Sequence, residues 1–587
     1  MNSKLSWSNV SINIKDKCIV DNNFGSIESG KLLAIMGPSG SGKTTLLNYL
    51  SNKNKLGGTG TIKIDGTKVT DIYLNQISRY VEQEDCLIGS LTVEETIHFS
   101  GKLSGMQNRS SRNEKVNQLL EDLGLVSVKD VVIGTPIRKG ISGGQKRRVS
   151  IACELITLPS VLFLDEPTSG LDSKASFEVI STIKKIAKNE NIIVIMSIHQ
   201  PSSTTFDLFD KVMFLSQGKT VYNDKVKSII PYFELQDIHF NPNQNISEFV
   251  LDMINTDFNN GACNINDLHE FYLDQKGNSI LEEDEEDKSG QSIFIKRNNV
   301  FKASNIYQIV VLCHRSFLKA FRDILAYHVR MLMYMGLAIM MGTVWLRLVY
   351  NQAEIQLFIN AIFFSGAFMS FMSVAYIPAY LEDYNSFKRE NSNGLYGPLP
   401  FILSNFLISI PFLFVTNLIF CIITFFLVNF HQTSKGFWYY VMWLFLDLIA
   451  AESLTVLLST VFPFFVVALA LTAFANGLWM SVGGFLVSEK ILNVFWYYTF
   501  YWIDYQRYVF QGMMFNQFSD TIYTCGSECQ CMYSSDLQSQ CRIEGAAVLS
   551  SLGYSTSNVG FWVGMILVIT FFMRLLTYGV LRLRSKT

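Results

Sequence analysis

The stretch GPSGSGKT at residues 37–44 decides the fold of the N-terminal half of this chain. Gly37, Gly42, Lys43 and Thr44 fit the pattern G-x-x-x-x-G-K-[ST], whose glycines let backbone N–H groups turn toward phosphate oxygens. The apolar run LLAIM precedes the stretch and indicates a buried strand, and TTLLNYL follows it and indicates a helix. A helix N-terminus adds its positive dipole end. The stretch therefore predicts an α/β domain that binds a nucleoside triphosphate, with Lys43 on the β- and γ-phosphates and Thr44 on Mg²⁺.

Two further motifs supply a carboxylate pair and an imidazole. The run VLFLD ends at Asp165, which we expect to bind the Mg²⁺ shell, and Glu166 follows it. Because side chains alternate along a strand, these two should point to different sides, so Glu166 can polarise an attacking water. His199 ends the run NIIVIMSIH, where open α/β sheets bind their ligands. We expect His199 to contact a γ-phosphate, the alternative being an ordinary surface histidine.

A second glycine-rich loop opens the basic helix in ISGGQKRRVSIACEL. A helix start of this kind is another anion site. One nucleotide in one domain does not need two such sites. The loop makes sense if Ser142, Gly143 and Gly144 face a γ-phosphate held by a second copy of the domain.

Taken in order, these motifs resemble those of ABC transporters. The resemblance covers the Walker A loop at 37–44, Gln83 in YVEQED, the signature at 141–145, Asp165 and Glu166 of Walker B, Asp172 after SGL, and His199. The stretches YVEQEDCLIGSLTVEETIHFS and SIHQPSS are similar to the G subfamily of White-type half-transporters. The resemblance implies catalytic roles for Glu166, His199 and Gln83 and Mg²⁺ ligation by Thr44, Gln83 and Asp165. The nucleotide contacts that it implies are Gly37, Pro38, Ser39, Gly40, Ser41, Gly42, Lys43, Thr44, Thr45, Ser142, Gly143, Gly144, Gln145 and Asp172.

One departure from the family concerns the base. In many members of the ABC ATPase family, the adenine stacks on an aromatic residue about 25 positions before the Walker lysine. The corresponding stretch here, KDKCIVDNN, holds Cys18 and no aromatic residue. Ile19 or Val20 would supply only apolar packing.

The composition excludes a single soluble domain. The chain has 587 residues, of which 49% are hydrophobic, and a net charge of −2. Its mean hydropathy is positive at +0.22, and nothing in the charge points to nucleic acid. We find no signal peptide before the motifs and expect a cytosolic ATPase domain at 1–260.

Three segments follow that domain. Residues 261–300 hold the acidic stretch LEEDEEDKSGQ, which predicts a solvated linker, with a regulatory role as the alternative. Residues 301–328 read as an amphipathic helix on the cytosolic membrane face. The transmembrane domain occupies 329–587, with an external loop at 488–557. About 20 apolar residues span a bilayer, and six spans fit: Val329–Leu348, Leu357–Tyr380, Ile402–Phe430, Phe437–Val461, Phe464–Val487 and Gly560–Leu581.

Charge sets the orientation of these spans. The segments HRSFLKAFRD, SFKRE and RLRSKT fall on one side, which the positive-inside rule makes cytosolic. The external loop holds Cys525, Cys529, Cys531 and Cys541, which we read as disulfides on the oxidising side. Three pairings within the loop, an interchain bond and zinc are the alternatives. We predict no N-glycan there, since the loop holds no N-x-[ST] sequon.

An aromatic stripe marks the second span. Phe364, Phe368 and Phe371 recur at helical spacing and share a face. Packing against lipid or neighbouring helices is one reading, and a central cavity that stacks flat apolar substrates is the other. By resemblance to multidrug members of the subfamily, Met480 would face that cavity and Phe485 and Leu486 would form an apolar plug above it.

Charged residues inside the bilayer need a reason. The fourth span holds Asp447 and Glu452, and the sixth holds Arg574. Glu452 and Arg574 lie at similar depth, so we hypothesise that they pair, the alternative being that Arg574 snorkels to the interface. The stretch LEDYNSFKRENSNGLYGPLP resembles the subfamily's cytosolic loop between spans two and three, with pattern residues Glu382, Arg389, Glu390 and Tyr396, or is simply a solvated charged loop.

The sequence therefore predicts an α/β P-loop ATPase domain followed by an all-α membrane domain of six helices. We expect an ATP-driven half-transporter with ATP and Mg²⁺ as cofactors. It would work as a homodimer, or a heterodimer with another half-transporter, and export an apolar or amphipathic compound. The alternatives are an ATPase that regulates another membrane protein and an ATP-gated channel.

Overall fold

The structure, a computed structural model, describes residues 3–15, 17–53, 57–135, 138–240, 244–256, 264–286, 303–487, 491–526, 529–554 and 558–585. The chain divides into two compact units. The first unit comprises Met1–Val311 together with Lys388–Gly397, and the second comprises Leu312–Phe387 and Pro398–Thr587. A short segment between two membrane helices thus belongs structurally to the first unit.

Two sheets organise the first unit. A four-stranded sheet has the order β2-β1-β4-β5, and a six-stranded sheet has the order β10-β9-β3-β8-β7-β6. The strands are β1 (Lys4–Ile14), β2 (Lys17–Glu28), β3 (Leu32–Met36), β4 (Gly58–Ile64), β5 (Thr67–Lys68), β6 (Ser78–Val81), β7 (Val161–Asp165), β8 (Ile193–Ser197), β9 (Lys211–Ser216) and β10 (Lys219–Lys225).

The six-stranded sheet positions the site. Strands β3, β7 and β8 are buried along their whole length, as expected for parallel strands covered on both faces. Strand β8 pairs in parallel with both β3 and β7, and β6 pairs in parallel with β7. Their carboxyl ends therefore meet at one edge, where the sequence places the P-loop, Asp165 and His199.

The helices of the first unit are α1 (Lys43–Leu50), α2 (Asp71–Ile77), α3 (Val93–Leu103), α4 (Arg109–Asp122), α5 (Gly143–Leu155), α6 (Ser173–Glu190), α7 (Ser203–Phe206), α8 (Ile229–Glu234), α9 (Ile246–Ile254) and α10 (Ile265–Glu286). Helix α10 lies within the range 261–300 that the sequence assigns to a linker. Ile265 and Leu268 are buried in the core of the unit, and Tyr272 stacks on Phe24 at 5.1 Å between ring centroids. The apolar start of this helix therefore extends the packed domain beyond residue 260. The rest of the predicted linker, from residue 287, lies outside the described residues.

The later helices are α11 (Asn305–Arg322), α12 (Arg330–Val344), α13 (Ile355–Phe371), α14 (Ile377–Ser392), α15 (Pro398–Val428), α16 (Ser434–Val461), α17 (Phe465–Val482), α18 (Val494–Trp496), α19 (Tyr505–Phe518), α20 (Gly545–Leu552) and α21 (Val559–Arg584). In the described ranges five stretches are long and apolar enough to cross a membrane: Gln352–Ser392, Pro398–Val428, Ser434–Val461, Phe465–Val482 and Val559–Arg584. A sixth arises if α11 and the helix after it, bent by 61°, count as one broken span. The predicted fold class is confirmed, and the break at Phe462 and Pro463 separates α16 from α17 as expected.

The predicted cytosolic loop between spans two and three is largely helical. Helix α14 continues through Glu382, Arg389 and Glu390 to Ser392, because none of these residues breaks a helix. The helix ends where Gly394 adopts a φ of +71° and the Leu395 N–H donates to the Glu390 carbonyl at 3.0 Å. This is the usual way for a glycine to close a helix.

The predicted external loop 488–557 holds more structure than its composition suggests. Helix α19 in this range is buried along most of its length. A two-stranded sheet, β11 (Ile522–Thr524) with β12 (Arg542–Glu544), follows it. Two disulfides, Cys525–Cys531 and Cys529–Cys541, cross-link the segment between the two strands, so the predicted oxidation of these cysteines is borne out.

The charge pairing hypothesised for the bilayer is wrong in its partner. Glu452 pairs with Arg330 instead. The Arg330 Nη2 donates to the Glu452 Oε2 at 2.8 Å, and both side chains are buried. Arg574 instead donates from Nε to the Ser453 hydroxyl at 3.0 Å and lies over the Phe406 ring. Similar depth along two helices does not determine which of their faces meet. Arg330 lies at the start of the first predicted span, Val329–Leu348, and was not considered as a partner.

Candidate nucleotide site

The phosphate-binding loop is closed by its own lysine. Lys43 begins α1, is 6% exposed, and donates from Nζ to the carbonyl oxygens of Gly37 and Pro38, each at 2.8 Å. Gly42 precedes the helix with a φ of +99°, a left-handed conformation that favours glycine. Burial lowers the pKa of Lys43, while Glu166 and Asp165 oppose this shift. The loop thus presents a desolvated ammonium group beside the N-terminus of α1, an arrangement suited to phosphate.

Three hydroxyl groups surround the carboxylate of Asp165, at the end of β7. Oδ1 accepts from the Thr44 hydroxyl at 3.1 Å and from the Ser197 hydroxyl at 2.6 Å. Oδ2 accepts from the Tyr80 hydroxyl at 3.0 Å. Thr44 and Asp165 therefore lie together as the sequence predicted, and Ser197 and Tyr80 are additional members of the cluster.

A second cluster forms around Glu166. Oε1 lies 2.5 Å from His199 Nε2, and Oε2 accepts from Gln83 Nε2 at 2.7 Å. Strand β7 ends at Asp165, and Glu166 adopts a φ of +47°, a strained conformation for a residue with a side chain. This backbone turn, rather than strand alternation alone, separates the two carboxylates. The Glu166 N–H donates to the Ser197 hydroxyl at 2.9 Å, so one serine holds the backbone of Glu166 and the side chain of Asp165.

Arg147 joins several parts of the site, a role that the sequence motifs do not predict for it. Its side chain is buried in α5 and donates from Nη2 to the Asp165 carbonyl at 2.6 Å. Nη1 donates to the Glu82 and Gln83 carbonyls and lies 3.3 Å from Asp85 Oδ1. Arginine suits this place because its planar guanidinium carries several fixed donors. Its position within the signature helix, beside Gln145, is the one sequence signal for it.

The signature loop is open to solvent and capped by its own residues. The Ser142 hydroxyl accepts from the Gln145 N–H at 3.3 Å, and the Gln145 side chain accepts from the Ser142 N–H at 2.9 Å. This capping box fixes the start of α5. Ser142 and Gly143 are exposed, and a Cβ at Gly143 would meet nothing within 4 Å. Asp172 caps α6 in a similar way, accepting from the Ala175 N–H at 2.7 Å.

The region expected near the base is apolar. Val20 is fully buried in the core, and Ile19 is half-buried. A Cβ at Gly42 would lie 2.8 Å from the Ile19 carbonyl oxygen, so β2 runs against the P-loop. Cys18 is exposed.

The predicted substrate-pocket residues fall into two groups. Phe364 stacks on Phe368 at 5.7 Å, and Phe485 stacks on Phe363 at 4.0 Å. Phe371 and Leu486 are exposed, at 39% and 60%. Met480 and Phe485 pack against the core of the second unit. The stripe is therefore partly packed and partly open, as both readings of it allow.

Comparison with known proteins agrees with these motifs. Residues 20–169 match the ABC transporter family, and residues 307–518 match the ABC-2 type transporter family. The chain is 33% identical to ABC transporter G family member 1 of Petunia hybrida over 536 residues, covering 88% of this chain and 84% of that protein. It is 31% identical to member 13 of Arabidopsis thaliana over 604 residues, covering 95% and 87%.

The ATPase motifs thus meet at one sheet edge in the first unit, and an apolar helical unit of the expected type follows. The expected family resemblance is confirmed. This chain belongs to the ABC transporter G family and is a multi-pass membrane half-transporter that binds ATP and uses it to drive transport.

Proposed function

We propose that the chain works as a dimer and exports an apolar or amphipathic compound, with hydrolysis through Glu166. The observation that carries the catalytic part is the pair of hydrogen bonds from Gln83 and His199 to the two oxygens of Glu166. They orient this carboxylate beside the P-loop, where it can accept a proton from an attacking water. Activity close to wild type in a Glu166→Gln variant would refute this assignment.

The residues around Asp165 fit a magnesium ion. Mg²⁺ prefers hard oxygen ligands, and the Thr44 hydroxyl and Asp165 carboxylate oxygens lie 3.1 Å apart. When bound, the ion would neutralise charge on the β- and γ-phosphates. Gln83, the other predicted ligand, directs its amide nitrogen to Glu166 in this conformation. Lys43 would exchange its loop carbonyl partners for phosphate oxygens.

A second copy of the chain would complete each ATP site. Ser142 and Gly143 lie at an exposed helix start, and charge-assisted N–H bonds to a phosphate are strong. A dimer that mixes a Lys43→Ala chain with a Ser142→Arg chain keeps one intact composite site. Its ATPase activity should lie well above that of either mutant homodimer. Activity no higher than that of the parents would count against sites shared between chains. A heterodimer with another half-transporter would use the same arrangement.

The aromatic residues of α13 are the proposed substrate contacts. Phe364 and Phe368 stack, and the exposed Phe371 follows on the same helix face. Phe371→Ala should lower ligand-stimulated ATPase activity and leave basal activity unchanged. Phe426→Ala, which removes another exposed ring from the second unit, is the matched control. If every ligand stimulates the wild type, Phe371→Ala and Phe426→Ala equally, the aromatic stripe serves helix packing and does not line a substrate cavity.

Transport by the reconstituted protein separates this proposal from its rivals. We expect the first unit and both termini to lie in the cytosol, because the basic segments fall on that side. A regulator of another protein would hydrolyse ATP and move no compound across vesicles. A gated channel would pass solute downhill, and its flux would survive Glu166→Gln.

A further inference from the structure

Tyr80 connects the carboxylate of Asp165 to a segment that lies more than 300 residues away in sequence. Its hydroxyl donates to Asp165 Oδ2 at 3.0 Å, and its side chain is buried. A carboxylate oxygen can only accept, so the Tyr80 hydroxyl is the donor of this hydrogen bond. It restrains the one Asp165 oxygen that Thr44 and Ser197 do not hold.

The backbone of Tyr80 is held in turn by one side chain. Asn393 accepts from the Tyr80 N–H through Oδ1 at 3.1 Å and donates through Nδ2 to the Tyr80 carbonyl at 3.0 Å. Strand β6 is the edge of its sheet, so the backbone groups of Tyr80 that face away from β7 have no neighbouring strand. The Asn393 amide supplies both missing hydrogen bonds and is itself buried.

The segment that carries Asn393 is well fixed. It belongs to the first unit, and its turn is closed by Gly394. The Gln308 amide donates to the Leu395 carbonyl at 3.0 Å, and the Tyr396 hydroxyl donates to Glu390 Oε2 at 2.6 Å. A displacement of this turn would therefore move Asn393, and with it the backbone from which the Tyr80 hydroxyl reaches Asp165.

We propose that Tyr80 is a positioning residue for the metal-binding carboxylate of Asp165 and that Asn393 sets its position, so the segment Lys388–Gly397 tunes the affinity of the ATP site for Mg²⁺. The inference rests on the proposed role of Asp165 as a metal ligand. It predicts that changes in a segment far from the nucleotide alter metal binding specifically, while metal-free nucleotide binding stays the same.

The test measures binding of a fluorescent ATP analogue to the full-length protein in nanodiscs. Each variant is titrated with the analogue in EDTA and then with Mg²⁺ at fixed analogue. Tyr80→Phe removes one hydroxyl and keeps the ring. Loss of a hydrogen bond to a charged group should raise the half-saturating Mg²⁺ concentration roughly tenfold or more. Affinity in EDTA should stay at the wild-type value.

Two matched controls separate this effect from general damage. Tyr73→Phe removes a hydroxyl that has no hydrogen-bond partner among the described residues, and Asn391→Ala alters the same helix end two residues from Asn393. Both should show wild-type Mg²⁺ dependence. An unchanged Mg²⁺ dependence in Tyr80→Phe, or an equal loss of affinity in EDTA, overturns the proposal.

The role of Asn393 is tested by combination. Asn393→Ala should shift the Mg²⁺ dependence in the same direction as Tyr80→Phe. The double variant Tyr80→Phe with Asn393→Ala should be no worse than Tyr80→Phe, because both act through one hydroxyl. Additive shifts would overturn the connection. Unchanged Mg²⁺ dependence in Asp165→Asn would refute the proposed role of Asp165 itself.

Discussion

The two units solve the same problem, a buried charge, in different ways. In the first unit Arg147 gives its guanidinium donors mainly to backbone carbonyls of β7 and of the loop around Gln83. In the second unit Arg330 pairs with Glu452, while Lys319 pairs with Glu382 and Asp383. These carbonyl partners satisfy the guanidinium group without engaging the side-chain carboxylates of Asp165 and Glu166. In the second unit the ion pair of Arg330 with Glu452 neutralises two charges that would be expensive to bury in a membrane.

The largest effect is expected on the rate of ATP hydrolysis, when Glu166 of the first unit is replaced. Replacing Glu166 with glutamine removes the proposed proton acceptor and keeps the length of the side chain. General-base catalysis contributes about 10²–10⁴-fold, so phosphate release should fall by that order while ATP still binds. Glu121→Gln changes an exposed glutamate of the same unit and should leave the rate unaltered.

The buried pair of the second unit gives the next largest effect, on stability rather than rate. Glu452→Leu leaves Arg330 buried without its carboxylate, which should cost about 3–5 kcal/mol, and Arg330→Met with Glu452→Leu should recover most of this loss. Thermal unfolding in detergent measures both. Arg574→Met with Glu452→Leu should show no recovery, because Arg574 bonds to Ser453. Recovery of stability in that combination would instead support the Glu452–Arg574 pair that was inferred from sequence.

These cases also show what a sequence reveals and what it hides. Lys43, Asp165, Glu166 and His199 were predictable because each motif lies on a short run whose strand or helix is evident. Tyr80 and Asn393 were not, because 313 positions separate them and only the folded chain joins them. Tyr80 does stand three residues before Gln83, so a buried tyrosine in YVEQED was a weak signal for it.

The membrane unit was less predictable for a similar reason. Six apolar runs were evident, but the partner of Glu452 depends on how helices rotate about their axes, which hydropathy does not encode. Helix α19 was missed because YQRYVFQGMMFNQF mixes polar and apolar residues without a clear period. Its burial among other helices, rather than its own pattern, accounts for its helical form.

A buried carboxyl group in the first unit should make the stability of that unit depend on pH. Glu154 is 2% exposed, and burial raises its pKa to about 7 despite the opposing charges of Arg389 and Arg79. A carboxyl whose pKa is higher in the folded than in the unfolded state binds its proton more tightly when folded. The unfolding free energy should therefore fall as pH rises from the ordinary glutamate pKa of about 4.5 to about 7, and stay lower above that.

The Glu154→Gln variant tests this sign. Glutamine keeps the shape of the side chain and cannot ionise, so the pH dependence of thermal unfolding should flatten between those two values. The full-length protein is measured by intrinsic fluorescence across that range. Glu234→Gln in the same unit, whose side chain is exposed, should retain the wild-type profile. A steeper fall in Glu154→Gln than in wild type would contradict the assignment.

The smallest expected effect concerns the two disulfides of the second unit. Cys529–Cys541 closes a loop of sequence separation 12, and Cys525–Cys531 one of 6. Loop-closure entropy grows slowly with length, so a twofold longer loop should stabilise by only about 0.6 kcal/mol more. Replacing Cys529 and Cys541 with serine should therefore lower the thermal midpoint slightly more than replacing Cys525 and Cys531. Parallel non-reducing peptide mapping confirms that the remaining bond has formed in each variant. A larger loss on removing Cys525–Cys531 would show that packing around the short loop outweighs chain entropy there.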